Sequence, residues 1–405
     1  MPAYSTLSQP VKAGYLVFIS ILAHPFRPFF LLTGIYGVIT VIVWMSFLFG
    51  GFSLPLGWSP VHWHSHEMLF GLIPLAIAGF LLTAVCNWTG AGPLHGKALL
   101  ALIIIWFAGR VAMWTASWWP VGIAAAADLL FMPVMAIYMT RVLLQHGNKR
   151  NLPIAAILLL LSLANVMMHI GFITSDPQWL RHGELMALGL ITLMMIVIGG
   201  RIIPLFTINW LRNQGIQIAC VKSFAVLDRA ALLATLLLIP ADFFTGTSWL
   251  TGAVALIAGA LNALRLIGWS GWRTAREPLL WILHLGYGWI VVALLLKGAA
   301  AFNLAAPTAW QHALGVGAIG TLILGVMTRV ALGHTGRTLT LPRFAVAIYV
   351  AITLAALARV LAALQLLDYR VGLLVAATGW SLAFGIFTLI YWPILTRPRA
   401  DGRPG

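Results

Sequence analysis

The chain has 405 residues, of which 61% are hydrophobic and only 8% charged, an apolar excess that a soluble core of this length cannot hide. Its formal net charge of +15 raises the question of nucleic acid. The basic residues instead sort by side of a membrane, so a soluble domain and a nucleic-acid binder are both excluded.

Stretches of about 20 apolar residues, each able to cross a ~30 Å hydrocarbon core, recur along the chain. They predict an all-α polytopic membrane protein with transmembrane helices over 29–50, 68–86, 98–116, 118–141, 152–174, 184–208, 224–241, 247–268, 278–300, 309–331, 343–366 and 371–395. That makes twelve helices in a single domain, 29–396, between an N-terminal segment, 1–28, and a tail, 397–405. The N-terminal segment has no apolar run ending in a small-residue cleavage site, so no cleavable signal peptide is expected. Lys12, Arg27, Lys97, Arg141, Lys149, Arg150, Arg212, Lys222, Arg229, Arg273, Arg276, Arg337, Arg343, Arg397, Arg399 and Arg403 fall in the termini or after even-numbered helices. Only Arg181, Lys297 and Arg370 fall after odd ones. This asymmetry places both termini in the cytoplasm. Cys86 and Cys220, the only cysteines, are not spaced as a metal or redox pair, and no CxxCH haem attachment is present.

In chain order, the first costly residues are in VHWHSHEMLF, 61–70. Ser59-Pro60 is a helix start. A helix from there puts His62 and His66 on one face and His64 on another, whereas an extended segment lines up all three. Either arrangement lets two imidazoles converge on a metal, with Glu67 orienting one of them, and imidazole suits copper, zinc and iron alike. The plain alternative is a helix entrance with histidines at headgroup level.

Arg110, in FAGR, and Asp128 on the next helix lie at comparable depth. Either they pair, or Arg110 and Arg359 hold haem propionates or another anion near the outer leaflet. His169, one turn after Asn165, and His284, in WILHLGYGW, are either hydrogen-bonded core histidines or axial ligands of a non-covalent haem. Arg201 and Arg329 approach the cytoplasmic face, where snorkelling accounts for them.

Three helix ends look alike: MAIYMTRVLLQHGNKRNLP, LRLIGWSGWRTAREPLL and LIYWPILTRPR. A histidine opens the second helix of each set of four, as His66, His182 and His312. These marks predict three parallel four-helix units, about 29–150, 151–276 and 277–396, in a pseudo-threefold arrangement about the membrane normal.

HPFRPFFLL (24–32), WHSHEMLFG (63–71), AGFLLTAVCNWTG (78–90), IGGRIIPLFTIN (198–209), EPLLWILHLGYGW (277–289) and MTRVALGHTGR (327–337) resemble the NnrS family, haem- and copper-containing membrane proteins linked to nitric oxide metabolism. The resemblance runs from about residue 24 to 399. It implies haem b and copper, a bacterial inner membrane, and a role in denitrification or defence against nitrosative stress. Within WHSHE it matches His64, His66 and Glu67 as the copper set, and His62 falls outside it. His169, His284 and His312 are the implied haem ligands, with Arg110 and Arg359 at the propionates. His24, Arg27, His182, Arg201, Arg329 and His334 are further candidates in or near matching motifs. Cys86 stands where the family pattern has proline, which argues against a role for its thiol.

The expectation is therefore a redox protein, in one form an oxidoreductase acting on nitric oxide or an iron-nitrosyl species, with a quinol or other electron donor. The rival expectation is a transporter or metal-delivery protein whose histidines form a metal path. Four plus four plus four helices fit the usual transporter repeats poorly.

Overall fold

A computed structural model describes residues 20–403, so Lys12 and most of the segment 1–28 lie outside the described residues. Among the described residues the chain is helical, with no strand. The helices are α1 Phe26–Phe49, α2 Pro60–Thr89, α3 Gly96–Trp114, α4 Val121–Gln145, α5 Leu152–Thr174 and α6 Pro177–Asn213, followed by α7 Ala225–Thr245, α8 Trp249–Gly268, α9 Pro278–Ala301, α10 Ala309–His334, α11 Val346–Ala363 and α12 Tyr369–Thr396. Eleven of them are long and apolar enough to cross a membrane. The exception is α7. Any 18-residue stretch of it contains Asp228, Arg229 and Asp242, so the helix expected at 224–241 forms, but the count of candidate spans is eleven, not twelve.

Local signals set the helix starts. Ser59 is extended and accepts the His62 N–H, with Pro60 at the first helical position. Asp176-Pro177 and Glu277-Pro278 repeat the device at α6 and α9, because proline's missing N–H costs nothing in the first turn. At the far end of α2, Gly90 takes φ +75 and its N–H returns to Cys86 O at 2.8 Å, a left-handed cap that glycine adopts without strain.

α2 is not uniform. Pro60–His66 is α-helical, Glu67–Leu72 is π-helical, and α-helix resumes at Ile73. Pro74 would crowd the carbonyl of Phe70 four residues earlier, and the wider turn before it relieves that clash. α10 has the same order: α-helix to His312, a π-helical Ala313–Gly320, then α-helix from Thr321. In both helices the π turn follows directly on the histidine. His182 lies instead in the unbroken α6.

The chain forms two compact units. Unit 1 runs through Ser162 and takes in Met327–Thr340 and the residues from Phe384 on; unit 2 is Leu163–Val326 with Leu341–Ala383. The boundaries fall inside α5, α10 and α12. This division follows packing, whereas the expected three-unit repeat is a matter of helix order.

In unit 1, α1 packs on α2 and on the end of α12 through glycines. A Cβ on Gly79 would sit 2.6 Å from the Phe30 ring, and one on Gly37 2.9 Å from Phe384. Arg27, fully buried, donates to Leu395 O at 2.7 Å and Arg397 O at 2.8 Å. It thereby satisfies carbonyls that the end of α12 leaves open. Arg399 does the same for α10, donating to His334 O at 2.9 Å.

The Phe26 ring lies between the rings of His24 and His334, at 6.0 and 5.6 Å. Burial, then Arg27, His334, Arg399 and His95, hold the His24 imidazole down at about 4. Between that value and the ordinary 6.5 the unfolded chain takes up a proton that the folded chain refuses, so stability rises with pH across the window and is lost on acidification. Unfolding midpoints should therefore climb from pH 4 to 6.5, and less steeply in His24→Gln; identical slopes would show that His24 titrates normally.

Unit 2 buries three charged groups of its own, Asp242, Arg265 and Lys297. Lys297, expected in an outer loop, is inside α9 and 8% exposed. Its Nζ donates to Asp242 Oδ2 on α7 at 2.6 Å and stands 4.0 Å over the Trp310 ring. Arg265 on α8 donates to Asp228 Oδ1 at 2.7 Å, to Tyr287 OH at 2.6 Å and to Asn262 Oδ1 at 3.2 Å. The acids that spoil α7 as an apolar span are therefore both neutralised by neighbouring helices of the same unit.

Candidate functional site

Unit 1 carries a buried ionic network assembled from four helices. His66 and Glu67 are fully buried on α2, and Arg110 on α3 and Asp128 on α4 are 5% and 4% exposed. Arg110 Nη1 donates to Glu67 Oε1 at 2.6 Å, and Nη2 donates to Asp128 Oδ1. Of the two readings of Arg110, the pairing with Asp128 is the one formed here, with Glu67 added to it. His66 lies between the same carboxylates: Nδ1 is 3.3 Å from Glu67 Oε1, and Nε2 is 3.1 Å from Asp128 Oδ2. On the far oxygen of Glu67, Tyr36 from α1 donates its hydroxyl. Trp114 Nε1 is 3.2 Å from that oxygen and 2.9 Å from the Tyr36 hydroxyl.

Charge is the organising constraint. Two carboxylates in a low-dielectric interior must be neutralised where they stand. Each imidazole nitrogen faces a carboxylate oxygen, so full hydrogen bonding of this arrangement takes a proton on both. Arg110 and the imidazolium then balance Glu67 and Asp128. The π turn contributes by keeping adjacent side chains less divergent than in an α-helix, so His66 and Glu67 reach one cluster. Trp58 and Phe70 cover the imidazole, with ring centroids at 5.1 and 5.4 Å.

The donor set suits a metal. Once Nε2 has given up its proton, it and Oδ2, 3.1 Å apart, have the separation of two ligands sharing one ion at about 2.0–2.2 Å from each. Glu67 stands at Nδ1, where a carboxylate fixes the tautomer of a ligating histidine. One imidazole and one carboxylate accommodate copper, zinc or iron.

His64 does not join this cluster. Two residues before His66 on an α-helix, it points elsewhere and stacks on Trp44, centroids 4.5 Å apart and planes at 11°. The expected copper set is thus divided, with His66 and Glu67 together and His64 apart.

His169 is buried on α5. His284 has Nε2 2.9 Å from Thr207 Oγ1, whose hydroxyl donates to Ile203 O. Its Nδ1 is buried against Gly271, where a Cβ would be 2.6 Å away. His312 is arranged differently: Nδ1 donates to Thr308 O at 2.8 Å, which leaves the Nε2 lone pair free, the arrangement of a ligating histidine. Arg359, on α11 of the same unit, has a buried Nη1 without a hydrogen-bond partner among the described residues and lies over the Tyr369 ring at 5.7 Å. His312 and Arg359 therefore fit a haem and its propionate, whereas Arg110, engaged by two carboxylates, does not.

Among the other candidates, His182 packs on Phe243 at 4.6 Å, Arg201 is exposed, Arg329 is half-buried, and His24, Arg27 and His334 gather at one end of unit 1. Cys86 and Cys220 are free thiols.

Sequence reasoning missed Tyr36, Trp114 and the metal-ligand role open to Asp128. Asp128 had a signal, as a carboxylate inside an apolar span; Tyr36 and Trp114 had none, since aromatic residues are common in membrane helices.

No curated protein matches the chain by sequence. The family described as NnrS protein matches residues 20–399, and those residues include every member of the buried network and nearly the whole chain: the protein belongs to the NnrS family, whose membership suggests a role linked to the response to nitric oxide.

Proposed function

We propose that the protein is a haem- and copper-binding redox protein of the bacterial inner membrane, with both termini cytoplasmic, acting in nitric oxide metabolism or protection from nitrosative stress. The observation that carries the reading is the His66–Glu67–Asp128–Arg110 network. Ionisable groups inside a membrane are expensive and mark function by default, and this set combines a metal-ligand pair with groups that hold protons. His66 and Asp128 would bind copper, with Glu67 orienting His66 and Arg110 fixing both carboxylates.

His312 and Arg359 support the haem half of the reading. When bound, a b-type haem would supply a redox iron able to take nitric oxide. The protein's own contribution is to orient His312 through Thr308, to offer Arg359 to an anionic group, and to hold a proton at His66 Nδ1 against Glu67. The reaction class this favours is reduction of a small nitrogen oxide, with electrons from a quinol or another donor. The three-unit arrangement belongs to this reading as well; a π turn follows His66 and His312 but not His182.

Detergent-purified protein should show stoichiometric haem, a Soret shift on exposure to nitric oxide, and copper on the same sample. His66→Ala should lower the copper content at least tenfold, the scale on which lost metal-site groups act, with haem retained. Equal loss of copper and haem would defeat the separate-site reading, and copper without haem would favour metal transport.

A further inference from the structure

One concentration of charge in unit 1 is used by none of this. Three segments meet where α1 begins and α10 and α12 end: His24–Arg27, His334–Arg337 and the chain from Leu395 on. Backbone and side chains bind them together, through Arg27 to Leu395 O and Arg397 O, Arg399 to His334 O, and Ala400 N–H to Thr335 O at 2.9 Å. These described segments bring together Arg27, Arg337, Arg397, Arg399 and Arg403. The one carboxylate among them is Asp401, held by Arg399 at 2.9 and 2.5 Å.

Membrane topology explains arginines in loops, because a hydrated arginine there costs little. It does not explain arginines and histidines drawn partly out of water around one another. Arg27 is fully buried, and His24, His334, Arg337 and Arg399 are half-buried. Arg337 lies close enough to Arg27 and Arg397 for their charges to act on one another, and its one hydrogen-bond acceptor among the described residues is Thr335 O at 3.5 Å, too long to count for much. Like charges brought together and dehydrated require a counter-charge. A metal cation is ruled out by the same arginines that would surround it. An anion with several acceptor oxygens matches forked guanidinium donors, and phosphate is the group that does so best.

We propose that Arg337 and Arg397 form a phosphate-binding site at this end of unit 1. It lies at the ends of membrane-spanning helices, the depth at which lipid phosphates sit, so the phosphate comes either from an anionic phospholipid or from a soluble phosphate. Arg27 and Arg399, committed to helix-end carbonyls, build the wall of the site and leave the binding to the other two.

The test uses full-length protein in nanodiscs of phosphatidylcholine alone, of phosphatidylcholine with one-fifth phosphatidylglycerol, and of phosphatidylcholine with added inorganic phosphate. The unfolding temperature is read in each. Wild type should gain on the order of 3 °C from the anion that binds, and Arg337→Gln/Arg397→Gln should lose that gain. A charge-matched control, Arg273→Gln/Arg276→Gln on an exposed loop of unit 2, should keep it. A rise with phosphatidylglycerol only identifies a lipid; a rise with inorganic phosphate that phosphatidylglycerol does not exceed identifies a soluble ligand. No rise in wild type, an equal rise in the Arg337/Arg397 variant, or an equal loss in the control overturns the site. If the double variant does not fold, Arg397→Gln alone serves, since that side chain is exposed.

Discussion

Arg110→Leu should destabilise the protein by about 3–5 kcal/mol, the cost of removing one partner from a buried ion pair. The substitution leaves Glu67 and Asp128 facing each other across His66, with one cation for two carboxylates that are 0% and 4% exposed. Arg110→Lys should be intermediate. A lysine carries the charge but cannot reach two carboxylates with the two separate nitrogens that Arg110 uses. Changing Arg110, Glu67 and Asp128 together to leucine should recover most of the loss, because buried ionic groups replaced by packed apolar ones are often neutral for stability. Unfolding in mixed micelles with increasing denaturant would measure all three. A loss below about 1 kcal/mol for Arg110→Leu would mean that the carboxylates are hydrated or neutral, and the charge argument for the site would go with it.

A similar penalty is expected in unit 2. Lys297→Met should strand Asp242, and Asp242→Leu should strand Lys297 beneath Trp310, each at about 3–5 kcal/mol. The double variant should unfold close to wild type. The coupling between the two changes would then be several kcal/mol, well above the 0.5–3 kcal/mol usual for neighbouring residues. Additive losses would show that the 2.6 Å contact carries no energy of its own.

The two pairs also show what could be read from the sequence. Apolar runs locate helices because a bilayer admits little else, and all the expected helices form. Ser59-Pro60 starts α2 as its capping chemistry requires. Arg110 and Asp128 were visible as a pair because they flank one short connection. Lys297 and Asp242 were not, being 55 residues apart on helices that nothing local sets face to face. The sequence shows which groups cost energy; which neighbour meets that cost depends on helix rotation. The π turn in α2 is the sharpest instance, since periodicity presumes 3.6 residues per turn and this helix departs from it at the residues that form the site.

The clasp made by Arg27 has a consequence for biosynthesis. Its carbonyl partners belong to Leu395 and Arg397, which leave the ribosome 368 and 370 residues after it. The opening helices must therefore wait through the insertion of all of unit 2 before the guanidinium finds its acceptors. Unit 1 is therefore completed after unit 2, and a truncation near residue 395 would leave Arg27, some 370 residues earlier, without its acceptors.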